Sequence, residues 1–375
     1  MNPSFRTKTV CFVHDWLVTM RGGEKVLETM CELYPNAPIY TLFANRKKLS
    51  PALQSKEIHT SFLQLIPGIE KFYRFLLPIF PLAIKTFNLK EYDLVISSSH
   101  CVAKSVPVRK SAIHICYCYT PMRYLWEFQE EYLGSFPKII RKLIHFYFNF
   151  LKRWDIKTAK NVNYFLTSSR YVAERILRIY NRRATVINPP AELLGDRQVI
   201  AESESSYYLI VSALVPYKRI DLAIEAFNQL KQPLKIVGTG PLMENLKQMI
   251  RFEGIQLTGW VSDEQLPEYY ENCKALIFPG EEDFGIVPLE AQMCGKPVIA
   301  YGKGGVCETV IAYDESSKKG TGIFFDEAIV DSLVRAVQKS QQIHFDPHFI
   351  RAHGQKFTKD HFKERISAFI KAPVN

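Results

Sequence analysis

The chain has few of the features that would tie it to an oxidised or membrane-spanning protein. Its eight cysteines form no CxxC pair and no Cys/His spacing suited to zinc, which excludes a disulfide scaffold and points to reduced thiols in a cytosolic setting. The most apolar run, Phe75 to Ile84, is ten residues long and holds Pro78 and Pro81, too short and too interrupted to cross a bilayer. The N-terminus passes directly into the strand-like Val10-Cys11-Phe12-Val13, with no signal-peptide pattern ahead of it. No Gly-x-Gly-x-x-Gly follows that strand; His14-Asp15-Trp16 does, which argues against a dinucleotide-dependent dehydrogenase. A Walker A loop is missing as well, and there is no internal repeat or low-complexity tract. His14, His100 and His114 are isolated, so no metal site is expected, although His14 and His100 sit at strand ends where a substrate could reach them.

Acidic residues are outnumbered, and the net charge of +10 calls for an anionic partner. Nucleic acid and an acidic membrane surface both qualify in principle. The basic residues cluster, however, in Lys71 to Lys90 and Lys138 to Lys160, where Lys and Arg are mixed with Phe, Tyr, Leu and Ile. Cations that meet lipid phosphate beside shallowly inserted aromatics suit a membrane headgroup region. The expectation is therefore a peripheral protein on the inner face of the cytoplasmic membrane, with no nucleic-acid partner. Core helices with basic outer faces would give the same pattern.

With 375 residues, 47% of them apolar and 23% charged, the chain can build two domains. Strand-like runs alternate with helical ones, which predicts α/β with parallel sheets. Strands are expected at Val10–Val13, Ile39–Phe43, Leu94–Ser97, Ile113–Tyr117, Tyr164–Thr167 and Thr185–Ile187, with helices at Lys25–Leu33 and Arg170–Tyr180. The polar stretch Gly195 to Ser206 reads as a linker. The alternation then restarts with strand Tyr207–Ser212, helix Ile220–Leu230, strand Leu234–Val237, helix Leu242–Arg251 and strand Ile255–Thr258. Ser262-x-x-Gln265 is a capping-box pattern that opens a further helix. Two doubly wound domains are expected, 1–195 and 206–345, facing an interdomain cleft, with 346–375 a helical segment that packs back toward the first domain. Ligands in such sheets bind at strand C-terminal ends.

The chemistry concentrates in Glu282-Asp283-Phe284-Gly285-Ile286-Val287-Pro288-Leu289-Glu290, which follows the buried run Ala275-Leu276-Ile277-Phe278 and the breaker Gly280. Pro288 suits a first helical turn, and Gly295 ends the helix. Glu282 then sits on a strand-end loop and Glu290 one turn into a helix, with the N–H groups of Phe284 to Val287 between them available to an anion. A ligand that carries both hydroxyls and phosphates, such as a nucleotide sugar, fits this arrangement. Lys218 and Arg219 lie at the end of the preceding domain-opening strand and could stabilise a departing diphosphate without a metal. Met20-Arg21-Gly22-Gly23-Glu24 takes the matching place in the first half, where glycines let the backbone approach a ligand. Gly238-Thr239-Gly240-Pro241 and Gly302-Lys303-Gly304-Gly305 are further strand-end loops, each as readily a plain turn, and Glu308 reads as a helix-start carboxylate.

Taken together, these residues resemble the family 4 retaining glycosyltransferases of the GT-B fold over essentially the whole chain. Glu282 to Glu290 matches the family's paired-glutamate signature, continued by Ala291-Gln292-Met293-Cys294-Gly295-Lys296-Pro297-Val298. Gly22-Gly23-Glu24, Lys218 and Gly304-Gly305 to Glu308 match its other motifs. His14-Asp15-Trp16, Ser97-Ser98-Ser99-His100-Cys101, Tyr119-Thr120-Pro121-Met122-Arg123-Tyr124 and Val215-Pro216-Tyr217-Lys218-Arg219 resemble bacterial O-antigen and exopolysaccharide transferases, many of them GDP-mannose-dependent. The resemblance implies Glu282 at the sugar hydroxyls, Glu290 at the ribose, and Lys218 with Arg219 on the diphosphate. It also implies help from the backbone of Phe284, Gly285 and Ile286, with Trp260-Val261 toward the base and Gly22 and Gly23 beside the donor. Two departures stand out: Ala213 replaces a familiar arginine, for which Arg219 is expected to compensate, and Tyr119 stands where many relatives have histidine. Glu282, Lys218 and Tyr119 are the expected catalytic group. No cofactor or metal is implied, only a nucleotide-sugar donor and a lipid-linked glycan acceptor. A UDP-sugar transferase, a GT-B sugar-nucleotide epimerase and a non-catalytic binding relative are the alternatives.

Overall fold

A computed structural model describes residues 9–127, 138–193 and 206–372; the expected linker falls outside them apart from Ser206. The chain divides into two units, Met1–Asn188 with Lys363–Asn375, and Pro189–Phe362. The first holds a seven-stranded sheet of β1 (Val10–His14), β2 (Ile39–Thr41), β3 (Ile58–Thr60), β4 (Leu94–Ser99), β5 (Ile113–Cys118), β6 (Tyr164–Thr167) and β7 (Ala184–Val186). All its pairings are parallel, in the order β3-β2-β1-β4-β5-β6-β7. The second unit holds β8 (Tyr207–Val211), β9 (Leu234–Val237), β10 (Ile255–Gly259), β11 (Cys273–Phe278), β12 (Val298–Tyr301) and β13 (Gly322–Phe325). These too are parallel throughout, in the order β10-β9-β8-β11-β12-β13. Both units are therefore Rossmann-like and doubly wound.

Helices cover both faces of each sheet, so the central strands read as unbroken apolar runs rather than alternating ones. That is why β4, β5 and β11 were legible: nearly every residue in them is buried. The strands that sequence missed, β3 and β13, have three and four residues and lie at sheet edges, too short for a periodic signal. In each unit the order reverses beside the opening strand, between β1 and β4 and between β8 and β11. Those two reversals place the carboxyl ends where ligands bind in doubly wound sheets.

The C-terminal segment needs a correction. Residues 346–362 belong to the second unit, because Ile350 is fully buried in its core and Phe357 packs its ring 6.1 Å from that of Phe284. The chain rejoins the first unit only at Lys363, which pairs with Glu32, while Arg365 donates to the Val186 carbonyl. The first unit ends at Asn188, ahead of Pro189-Pro190, rather than at 195.

The two basic aromatic segments form a 3-10 turn (Tyr73–Ile79), a short helix (Phe80–Ile84) and a 22-residue helix (Lys138–Ala159). They lie side by side, since the Tyr147 hydroxyl donates to the Pro78 carbonyl at 2.8 Å. One face enters the core through Phe80, Ile84, Leu151 and Trp154, whereas Phe75 and Phe146 are 74% and 80% exposed. Among the described residues no helix is long and apolar enough to cross a membrane.

Candidate functional site

In the second unit the switch point carries Lys218 and Glu282. After β8 the chain makes a 3-10 turn, Pro216–Lys218, and Arg219 then enters the helix Ile220–Leu230 with a left-handed backbone, φ 52° and ψ 40°. After β11, Gly280 brings the two loops together. A Cβ there would lie 2.8 Å from the Tyr217 carbonyl oxygen and 2.9 Å from the Lys218 Cα, so any larger residue would part them. Lys218 Nζ consequently pairs directly with Glu282 Oε1, both side chains mostly withdrawn from solvent. Arg219 is not in that pair; its Nε lies 3.4 Å from Asp221 Oδ1 on the exposed start of the following helix.

The Gly304-Gly305 turn is a buttress for Glu282. Gly304 forms a parallel bridge with Glu282, and the Gly305 N–H donates to the Glu282 carbonyl at 2.7 Å. A Cβ on Gly304 would stand 2.4 Å from that carbonyl oxygen, and its φ of +85° already favours glycine. The second glutamate, Glu290, sits in the helix Ile286–Met293, where its Oε2 accepts from the Tyr270 hydroxyl at 2.6 Å. Phe284 and Gly285 lead into that helix, with Gly285 at φ 94°, and the first-turn N–H groups beyond them have no partner within the helix. Val261 follows the end of β10, beside a largely exposed Trp260.

In the first unit the helix begins at Gly22 rather than Lys25, so Gly22 and Gly23 are its first turn. Glu24 accepts from the Arg21 N–H at 3.1 Å, holding the entry to the helix. Tyr119 stands over this turn, its hydroxyl donating to the Gly23 carbonyl at 2.8 Å. That hydroxyl also lies 2.8 Å from Ser98 Oγ, which is 3.0 Å from His14 Nδ1. A carbonyl only accepts and each hydroxyl has one proton to give. Tyr119 spends its proton on Gly23, so Ser98 donates to Tyr119 and His14 donates to Ser98 through Nδ1–H. His14 is thereby fixed as one tautomer, with a buried and unpartnered Nε2. Burial depresses its pKa, in keeping with the neutral ring. Burial also raises the Tyr119 pKa, which leaves it a donor and no base.

Asp15 organises the neighbouring loop. Its fully buried carboxylate accepts from the backbone N–H groups of His100 (2.7 Å), Cys101 (2.9 Å), Val102 (2.7 Å) and Ala103 (2.7 Å). His100 Nδ1 adds a contact at 3.2 Å. Asp15 was read from sequence only as part of the His14-Asp15-Trp16 motif, with no role of its own, and Tyr270 was not singled out. The partners of Asp15 lie more than 80 positions away, and Tyr270 stands in an ordinary helical context. Among the described residues no group of three or more His, Cys, Asp or Glu is placed to hold a metal ion.

Residues 196–342 match the family described as Glycosyl transferases group 1. The GDP-mannose-dependent alpha-(1-6)-phosphatidylinositol monomannoside mannosyltransferase of Mycolicibacterium smegmatis is 34% identical over 161 residues, which cover 38% of each chain. O-antigen chain mannosyltransferase C of Escherichia coli is 27% identical over 164 residues, 40% of this chain and 42% of that one. The matches thus span about two fifths of the length of each of these two relatives. Anabaena HepE, solved with UDP and glucose, superposes with a TM-score of 0.68 at 16% identity over 97% of this chain and all of that one. With two Rossmann-like parallel sheets that superpose on glycosyltransferase structures, the chain has the GT-B fold, and its residues 196–342 are similar to the Glycosyl transferases group 1 family.

Proposed function

We propose that the chain transfers a mannosyl unit from GDP-mannose to a lipid-linked or oligosaccharide acceptor in cell-surface polysaccharide synthesis, with retention and without a metal ion. The observation that carries this reading is the Lys218–Glu282 pair at the β8/β11 switch point, with Glu290 one helical turn further on. As the glycosidic bond breaks, negative charge develops on the departing diphosphate, and an ammonium group held in place stabilises it. Diphosphate drawn to Lys218 releases Glu282 to accept hydrogen bonds from the sugar. Arg219 can leave its exposed partner Asp221 at little cost and join Lys218. Tyr119, committed to Gly23 and Ser98, supports the glycine turn, and the acceptor proton passes to the departing phosphate oxygen. The M. smegmatis relative, named as GDP-mannose-dependent, supports the choice of donor.

The exposed Phe75, Leu82, Phe146 and Phe150, interleaved with Lys71, Arg74, Lys85 and Lys142, support a peripheral seat on the anionic inner face of the cytoplasmic membrane. A lipid-linked acceptor would be presented there.

Thermal-shift screening with GDP-mannose and UDP-glucose tests the donor. A ligand at 100 times its Kd adds about 2.7 kcal/mol, which raises the Tm of a unit this size by roughly 5–10 °C. A shift with UDP-glucose alone would replace the donor, and no shift with any nucleotide sugar would sink the reading. Release of GDP only when acceptor is added separates transfer from epimerisation. Glu282→Ala and Lys218→Ala should each abolish transfer in a folded protein, and near-normal turnover in either would reject the site.

A further inference from the structure

The helix Leu266–Glu271 begins directly after the loop Trp260–Gln265. It is pinned to β8 by the Tyr207 hydroxyl, which donates to the Tyr269 carbonyl at 3.1 Å. Tyr270 on this helix is fully buried, packed with Tyr207, Leu209, Cys273 and Cys294, and the hydroxyl at the end of its ring reaches Glu290 Oε2 at 2.6 Å. Burial keeps that hydroxyl far above the ordinary phenol range, so it is a permanent donor. A buried neutral donor to a carboxylate on a different helix fixes the carboxylate's direction as well as satisfying it.

We propose that Tyr270 is a positioning residue for nucleotide recognition: its hydroxyl holds Glu290 in the orientation that receives the ribose hydroxyls, and ties that carboxylate to the helix carrying the Trp260–Val261 loop. The inference rests on the donor-site reading above, and deepens it by naming a group that acts on the ribose through Glu290 and touches no ligand itself. Tyr270→Phe keeps the ring and its packing and deletes only the donor, so the fold should persist. A carboxylate left without this restraint spends part of its time turned away from the ribose, and a lost hydrogen bond to a charged group weakens binding by about tenfold.

The test is calorimetric titration of the full chain with GDP and with 2′,3′-dideoxy-GDP, repeated with UDP and its dideoxy form. Tyr270→Phe should weaken the ribonucleotide about tenfold and change the dideoxy nucleotide less than about twofold. In a Glu290→Gln background, Tyr270→Phe should add no further loss, because the two groups act as one. In transfer assays the donor KM should rise with kcat at saturating donor unchanged. Equal losses for the ribo and dideoxy nucleotides would make Tyr270 a packing residue and overturn the inference. So would an unchanged ribonucleotide affinity, or independent losses in the double variant. A wild-type protein that binds neither GDP nor UDP would overturn the donor-site reading itself and take the inference with it.

Discussion

Arg219 holds a backbone conformation that costs an arginine free energy, and replacing it separates strain from function. With φ 52° and ψ 40° it is left-handed, which costs a residue with a Cβ about 1–2 kcal/mol. Its ionic partner among the described residues is the exposed Asp221 at 3.4 Å, a pairing worth about 0–1 kcal/mol. Arg219→Gly removes the strain and adds about 0.5–1 kcal/mol of chain entropy cost; both it and Arg219→Ala give up the Asp221 pairing, so the glycine variant should be more stable than the alanine variant by about 0.5–1 kcal/mol. For a unit of this size that is a Tm difference of roughly 1–4 °C. Arg219→Ala keeps the strain and should leave Tm nearly unchanged. Both variants lose the guanidinium, and a lost charged contact to diphosphate weakens donor binding by about tenfold. Differential scanning calorimetry and donor titration read the two effects separately. A glycine variant less stable than the alanine variant would refute the strain argument. Donor affinity that survives both substitutions would refute the diphosphate role and the compensation for Ala213.

Gly304→Ala should destabilise by about 1–3 kcal/mol and remove transfer, since the new Cβ would press on the Glu282 carbonyl. Gly68→Ala is the control, because it also has a positive φ but nothing within 4 Å; a smaller loss of Tm with transfer intact is expected there, and equal effects at both sites would reject the buttress. His114 is buried with its pKa lowered to about 3, against 6.5 in the unfolded chain, so the unfolded state binds its proton first. Its contribution is therefore complete above pH 6.5 and declines as pH falls toward 3, at up to about 1.4 kcal/mol per pH unit. Between pH 7 and pH 5 urea melts should show wild type losing about 2 kcal/mol more than His114→Asn, and parallel curves would contradict this. Replacing Phe75 and Phe146 with serine should cut pelleting on anionic vesicles by about tenfold at an unchanged Tm. Binding that neither the substitutions nor added salt reduces would remove the membrane seat.

How far the site could be read depends on where each partner lies in the chain. Glu282, Gly285 and Glu290 fall within nine residues, so a strand, a breaker and a helix start locate them together. Lys218 could be placed at a strand end, but its pairing with Glu282 spans 64 positions and depends on Gly280 admitting the other loop. Arg219 was grouped with Lys218 by its strand-end position and by resemblance, and its left-handed backbone and pairing with Asp221 could not be read from either. Tyr119 could be located but its partners could not, because Ser98 and Gly23 come from other strand ends. The basic aromatic segments showed amphipathic character without showing which aromatics face outward; the division between buried Phe80 and exposed Phe75 appears only in the packed unit.

The amino-acid order by itself determined the alternation of strands and helices, two doubly wound units and the carboxylate-bearing turn, because local periodicity and turn chemistry act over a few neighbouring residues. Folding in three dimensions decided which charges neutralise one another, which tautomer His14 adopts, why Gly304 and Gly305 are glycines, and that Tyr270 restrains Glu290. Those outcomes depend on contacts between segments tens of residues apart, whose distances are set by the sheet order and leave no mark on either segment alone.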